Sequence, residues 1–155
     1  MKGNYAKVLN KIKISEVMTR NVISAYENTN LEKIEKVFIE NQIHHLPIIN
    51  EYHKLMGVIS YSDLLLIKEW GGMTNKSKEI RNKILFNSNL AKDIMKPDPI
   101  TINSQDYVGF AAEIFMNNDL SCLPVIDSDK KVLGIITTYD LIVLAYTDIR
   151  QDIIF

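Results

Sequence analysis

The residues best placed to do chemistry are hydroxyls and carboxylates at two points of the chain. Gly57-Val58-Ile59-Ser60-Tyr61-Ser62-Asp63 and Gly134-Ile135-Ile136-Thr137-Thr138-Tyr139-Asp140 share one pattern at a spacing of 77 residues. In each, an apolar strand runs into a hydroxyl residue, and an acidic residue follows three positions later at the start of an apolar helix. Two readings of this spacing stand. As a capping box, Ser or Thr is the N-cap and the acidic side chain returns a bond to the N-cap amide. As a ligand site, the helix N-terminus and the hydroxyls suit a phosphate. The carboxylate suits the two donor hydroxyls of a ribose. Apolar neighbours could hold a base, so the whole describes a nucleoside phosphate site.

Other reactive residues form no such constellation. His44 and His45 are adjacent, and adjacent strand side chains point to opposite faces, so with His53 they do not make a metal site. They either cover a strand edge or, when protonated, contact an anion. Cys122 is the only cysteine, and no triad order accompanies it. It reads as a packed apolar thiol. There is no P-loop, no G-x-G-x-x-G and no metalloprotease helix. With no activated nucleophile and no convergent carboxylate pair, the expectation is a protein that is not an enzyme. Catalytic and metal residues are none.

The elements that position the corners come from a duplication, which is the first thing to look for in a chain. A constant shift of 77 aligns residues 15–64 with 92–141 without a gap. Identical pairs include Met18/Met95, Phe38/Phe115, Asn41/Asn118, Leu46/Leu123, Pro47/Pro124, Gly57/Gly134 and Asp63/Asp140. Each copy reads as β-α-β-β-α. A turn carries Glu16-Val17-Met18 or Asp93-Ile94-Met95, and a brief strand is expected at Val22-Ile23-Ser24 or Ile100-Thr101-Ile102. An amphipathic helix follows, with Leu31, Ile34, Val37 and Phe38, or Val108, Ala111, Ala112, Ile114 and Phe115, on its apolar face. Asn30 is the expected cap of the first helix and Asp106 of the second. A strand opens at Leu46-Pro47 or Leu123-Pro124, where proline is tolerated. A polar turn and a second strand lead to the corner and the last helix. Gly57 and Gly134 leave room for another backbone or a ligand. Copies of about fifty residues bury too little surface to stand alone, so the two are expected to pack together.

The expected organisation is an N-terminal amphipathic helix (1–13), a first repeat (14–67), a linker (68–90), a second repeat (91–146) and a tail (147–155). In the N-terminal stretch Tyr5, Val8, Leu9 and Ile12 recur at helical spacing beside Lys2, Lys7, Lys11 and Lys13. This reads as a docked helix with solvated lysines, or else as a surface for membrane or nucleic acid. Gly71-Gly72 would end the first repeat's helix, and Trp70 reads as a packing residue. In the linker, Asn75 to Phe86 suggests a surface helix with Ile80, Ile84 and Leu85 on one face.

Composition excludes several classes. A hydrophobic content of 46% supports a globular core. No apolar run approaches the ~18 residues of a spanning helix. The start lacks a signal peptide's apolar region. A net charge of −1 attracts neither nucleic acid nor anionic membrane. A soluble cytoplasmic protein is expected, with neither nucleic acid nor membrane as a partner.

These motifs give the chain a family resemblance. The Glu16-Val17-Met18 and Asp93-Ile94-Met95 turns, the Leu-Pro strands Leu46–Ile49 and Leu123–Ile126, and the two corners resemble a tandem pair of cystathionine β-synthase (CBS) domains. The resemblance implies an α/β (α+β) fold of two repeats packed with pseudo-two-fold symmetry, often paired again as a homodimer. It implies a non-catalytic regulatory module, of the kind used in energy sensing, that binds AMP, ADP or ATP, or alternatively S-adenosylmethionine or an adenine dinucleotide. It implies output to a separate, unknown regulated protein. It groups Thr137, Tyr139 and Asp140 with Ile23, Ile43, His44 and His45 in one cleft. Ser60, Ser62 and Asp63 join Ile100, Leu120, Ser121 and Cys122 in the other. The two histidines would make the Asp140 set the better anion site. The alternative is an interaction or structural module with no nucleotide ligand, its corners serving only as caps.

Overall fold

The polar turns show how local chemistry shapes both halves alike. In the first, Asn50 Oδ1 accepts from the amides of Tyr52 and Lys54 at 2.9 and 3.0 Å. In the second, Asp127 Oδ1 accepts from Asp129 and Lys131 at 2.8 and 2.9 Å. A short side-chain acceptor folds the backbone back on itself. A left-handed residue completes each turn, His53 (φ 59°) and Lys130 (φ 64°).

The computed structural model describes residues 9–69 and 75–153. The expectations for Lys2, Tyr5, Lys7, Val8, Trp70 and Gly71-Gly72 fall outside them. In chain order the elements are α1 (Ile14–Val17), β1 (Ala25–Tyr26), α2 (Leu31–Asn41), β2 (His45–Ile49), β3 (Leu55–Ser60), α3 (Tyr61–Glu69) and α4 (Asn75–Ser88). They continue with α5 (Ala91–Ile94), β4 (Lys96–Pro97), β5 (Ile102–Asn103), α6 (Val108–Asn118), β6 (Cys122–Ile126), β7 (Val132–Thr137) and α7 (Thr138–Ile153). The mixed α+β class holds.

The chain divides into two compact units, Ile23–Pro99 and Met1–Val22 with Ile100–Phe155. In the first, a four-stranded sheet has the order β1-β2-β3-β4. The β1–β2 pair is parallel and β2–β3 antiparallel, as a crossover helix and a tight hairpin require. The core gathers Leu31, Ile34, Phe38, Leu46, Ile48, Ile59, Leu64 and Phe86. In the other unit the order is β5-β6-β7, over Ile14, Ile102, Val108, Phe115, Leu123, Val125 and Ile136.

Each unit takes its short entry helix from the other sequence repeat. Helix α1 docks on the second repeat, where Ile14 N donates to Asp106 O and Ser15 N to Ser104 O. Helix α5 docks on the first, with Ala91 N donating to Thr29 O and Lys92 N to Glu27 O. These are the same bonds at the 77-residue shift. The acidic residue of each turn caps its own helix: Glu16 Oε1 accepts from Lys13 N and Asp93 Oδ2 from Leu90 N, both at 2.8 Å.

Three local expectations are corrected. The brief strands form at Ala25–Tyr26 and Ile102–Asn103, later than the expected Val22–Ser24 and Ile100–Ile102 and sharing only Ile102 with them, because parallel pairing engages Ala25 with Ile48 and Ile102 with Val125. Asn30 caps α2 through Lys33 N at 3.0 Å. Asp106 does not cap α6, whose N-cap is Tyr107. Its carboxylate instead accepts from Asn103 N at 2.9 Å. In α4 the inward face is Phe86 and Leu85, while Ile80 and Ile84 are 57% and 62% exposed. The helix turns this way because Arg81 and Asn82 bond to the carbonyl of Lys68 at 3.0 and 3.3 Å, capping the end of α3. Helix α7 runs on to Ile153, into the stretch expected as the tail.

Candidate functional site: two strand-to-helix corners

The backbone builds both corners by one rule. Strand β2 starts opposite the end of β3, with His45 paired to Ser60. Strand β6 starts opposite the end of β7, with Cys122 paired to Thr137. The next amide on each corner donates to the residue before the strand: Tyr61 N to His44 O at 2.9 Å and Thr138 N to Ser121 O at 3.1 Å.

A third segment closes each corner from the far side. Val58 pairs with Lys96, and the equivalent Ile135 bridges to Thr19. A Cβ on Gly57 would lie 2.7 Å from Met95 Sδ and 2.8 Å from Lys96 O. On Gly134 it would lie 2.5 Å from Met18 Sδ and 3.0 Å from Thr19 O. The room left by these glycines is therefore taken by methionine and backbone from the entry turn.

The carboxylates complete capping boxes. Thr137 Oγ1 accepts from Asp140 N at 3.3 Å, and Asp140 Oδ2 accepts from the amide and the hydroxyl of Thr137, both at 2.7 Å. Ser60 Oγ accepts from Asp63 N at 3.1 Å and donates to Asp63 Oδ2 at 2.6 Å. Ser60 has one proton and gives it to Asp63, so Ser62, 2.9 Å away, donates to Ser60. The cap bonds in both corners go to Oδ2, and Oδ1 takes no part in either cap.

The electrostatics of the corners differ. Lys96 Nζ lies 3.3 Å from Asp63 Oδ2. At the 77-residue shift its counterpart is Thr19, which carries no charge. Burial alone would push the Asp63 carboxyl up. The Ser60 hydroxyl, the Lys96 ammonium and the Ser60 amide outweigh it, so the carboxyl stands below its ordinary value. His45 is lowered, first by burial, then by the neighbouring His44; Asp63 raises it and Lys96 lowers it. Beside Asp140, burial pushes the Cys122 thiol up to about 12, and the aspartate charge adds to this.

Within the units, the structure thus brings His44 and His45 beside the Ser60–Asp63 corner, and Ser121 and Cys122 beside Thr137–Asp140. The groupings implied by the family resemblance draw residues from both units. Ile23 and Ile100, equivalent under the repeat, are both exposed, as is Tyr139; Ile43 packs partly on the first core and Leu120 on the second. The residue that sequence reasoning missed is Lys96. Its signal was present as a mismatch, Thr19/Lys96, inside an otherwise matched repeat. Among the described residues, no cluster of three or more His, Cys, Asp or Glu could hold a metal ion. Nor is any helix there long and apolar enough to cross a membrane. A cavity of about 470 Å³ in the Ile23–Pro99 unit, between residues such as Leu66, Arg81 and Leu85, shares no residue with either corner.

Comparison with known proteins agrees with this architecture. The chain is 33% identical over 134 residues to the uncharacterized protein MJ1225 of Methanocaldococcus jannaschii, covering 83% of this chain and 45% of that protein. The solved structure of the CBS domain pair of protein MJ0100, in complex with 5'-methylthioadenosine and S-adenosyl-L-methionine, is 25% identical with a TM-score of 0.70, covering 88% of this chain and 97% of that one. CBSX2 in complex with AMP shares the fold at 23% identity and a TM-score of 0.73, again covering 88% and 97%. The chain spans between 22% and 45% of the length of the first four curated relatives it matches. The protein-family model described as CBS domain matches residues 14–68 and 91–146, and the chain belongs to the CBS domain family.

Proposed function

We propose that this chain is a non-catalytic regulatory module that binds an adenosine-containing ligand of the AMP, ADP or ATP class and signals to a separate protein. One observation carries the reading. Each corner presents a carboxylate whose Oδ2 is held by its own helix cap while Oδ1 faces no capping donor. A carboxylate held in place by its cap suits the paired donor hydroxyls of a ribose. The 5'-methylthioadenosine and S-adenosyl-L-methionine of the MJ0100 domain pair support the class, since both contain adenosine.

The wall residues follow the family grouping: Ile23, Ile43, His44 and His45 with Thr137, Tyr139 and Asp140, and Ile100, Leu120, Ser121 and Cys122 with Ser60, Ser62 and Asp63. A ligand shifts such a module only as far as its affinity differs between two arrangements. A homodimer, output to a regulated protein and a cytoplasmic setting complete the proposal.

Isothermal calorimetry with AMP and ATP tests it. Asp63→Ala and Asp140→Ala are each expected to weaken binding at their own corner, while Asp→Asn variants preserve more of the cap. The competing reading is an interaction module whose carboxylates act only as caps, and the complete box at Thr137–Asp140 favours it. A flat thermal-shift response to adenosine, AMP, ADP and ATP would decide for that alternative.

A further inference from the structure

We infer that Lys96 is a charge selector, making the Asp63 corner discriminate phosphorylated from unphosphorylated forms of its adenosine ligand. The inference rests on the nucleoside-site reading above and adds a residue to it. Three observations carry it. Lys96 Nζ stands 3.3 Å from Asp63 Oδ2. The backbone arrangement behind it is the same in both corners, Val58 with Lys96 and Ile135 with Thr19. The side chain is the difference, an ammonium at one corner and a hydroxyl at the other.

The contact works in two directions. An unphosphorylated adenosine must bring its ribose hydroxyls to Oδ1 of a carboxylate whose charge the Lys96 ammonium, at Oδ2, already partly neutralises, which weakens it as an acceptor. A phosphate offers the ammonium a second anion. The Lys96 side chain is 75% exposed and the Asp63 side chain 28%, so the long, flexible lysine is the partner free to move. It can leave Asp63 Oδ2 for the phosphate and restore the full charge of the carboxylate that the ribose meets at Oδ1. One residue thereby penalises the neutral nucleoside and favours the charged nucleotide. His45, within electrostatic reach of both Asp63 and Lys96, lies in the same field. At the Asp140 corner the equivalent position is the uncharged Thr19, so whatever anion preference that corner draws from other residues, it lacks the contribution of this lysine.

The test is a reciprocal exchange read by calorimetry at low salt with adenosine, AMP and ATP. Lys96→Thr is measured in an Asp140→Ala background, which isolates the Asp63 corner; Thr19→Lys is measured in an Asp63→Ala background. Lys96→Thr is expected to lower the ATP-to-adenosine affinity ratio about two- to fivefold, the range of one exposed charge contact. Thr19→Lys is expected to raise that ratio at the Asp140 corner by a similar factor. Both effects should shrink with added salt. If adenosine and ATP weaken or strengthen by the same factor, Lys96 is not a selector and the nucleoside site stands. If the unmodified protein binds none of the three compounds, the proposed function falls and the selector falls with it.

Discussion

His45 stands opposite Ser60 in the β2–β3 ladder, which puts its imidazole in the field of both Asp63 and Lys96. Burial and the neighbouring His44 hold this histidine below its ordinary value of 6.5. It is therefore neutral in the folded protein over a pH range where the unfolded chain is already protonated. As pH falls below about 6.5 the unfolded state binds the extra proton first, and stability declines. Asp63, lowered in the folded state, contributes stability that is full above the ordinary carboxylate range and is lost as pH falls through its depressed value. An NMR titration should give His45 a midpoint below 6.5. Lys96→Thr should raise that midpoint and Asp63→Asn should lower it. A midpoint at or above 6.5 in the unmodified protein would contradict the arrangement.

The glycines of the two corners should not tolerate alanine equally. At Gly57 the new Cβ would meet a backbone oxygen at 2.8 Å as well as Met95 Sδ at 2.7 Å, so the sheet itself must shift. At Gly134 only the Met18 side chain stands closer than 3.0 Å, and it can move. Gly57→Ala should cost about 1–3 kcal/mol, the range for overpacking, and Gly134→Ala should fall at the lower end. Urea denaturation of both variants measures this, and equal, negligible effects would refute it.

The segment between the repeats is part of a core, not a tether. Phe86 is 4% exposed and packs with Leu31, Phe38 and Ala91 in one cluster. Phe86→Ala should cost ~3–5 kcal/mol. Ile84→Ala, on the exposed face of the same helix, should stay within about 0.5 kcal/mol of the unmodified protein. Thermal and chemical denaturation of the pair would reverse this order if the helix packed by its isoleucine face.

Cys122 should be nearly inert while the chain is folded. It is buried, and its thiol is pushed up to about 12, so at pH 8 its thiolate fraction is on the order of a thousandfold below that of an ordinary thiol. A disulfide reagent followed by absorbance should label it slowly in buffer and rapidly in denaturant. Fast labelling of the folded protein would show the β6 start to be open to solvent.

Much of this protein was determined by the order of its residues alone. The 77-residue repeat, the alternation that buries Leu55, Gly57 and Ile59 in β3, the Asn30 cap and the Ser60–Asp63 and Thr137–Asp140 boxes all act over a few residues. The pattern that specifies them is contiguous. What only the tertiary structure decided are the choices between near-identical partners. The turns at Glu16–Met18 and Asp93–Met95 carry the same docking chemistry and could serve either repeat; chain path and long-range packing assign each to the other repeat's sheet. The inward face of α4 was likewise open, because Ile80, Ile84, Leu85 and Phe86 are all apolar, and the carbonyls ending α3 selected it through Arg81 and Asn82. The charge on the corners follows from the same exchange. Lys96 lies 33 residues from Asp63, and it reaches that carboxylate because β4 pairs with β3, while at the other corner the same pairing delivers Thr19.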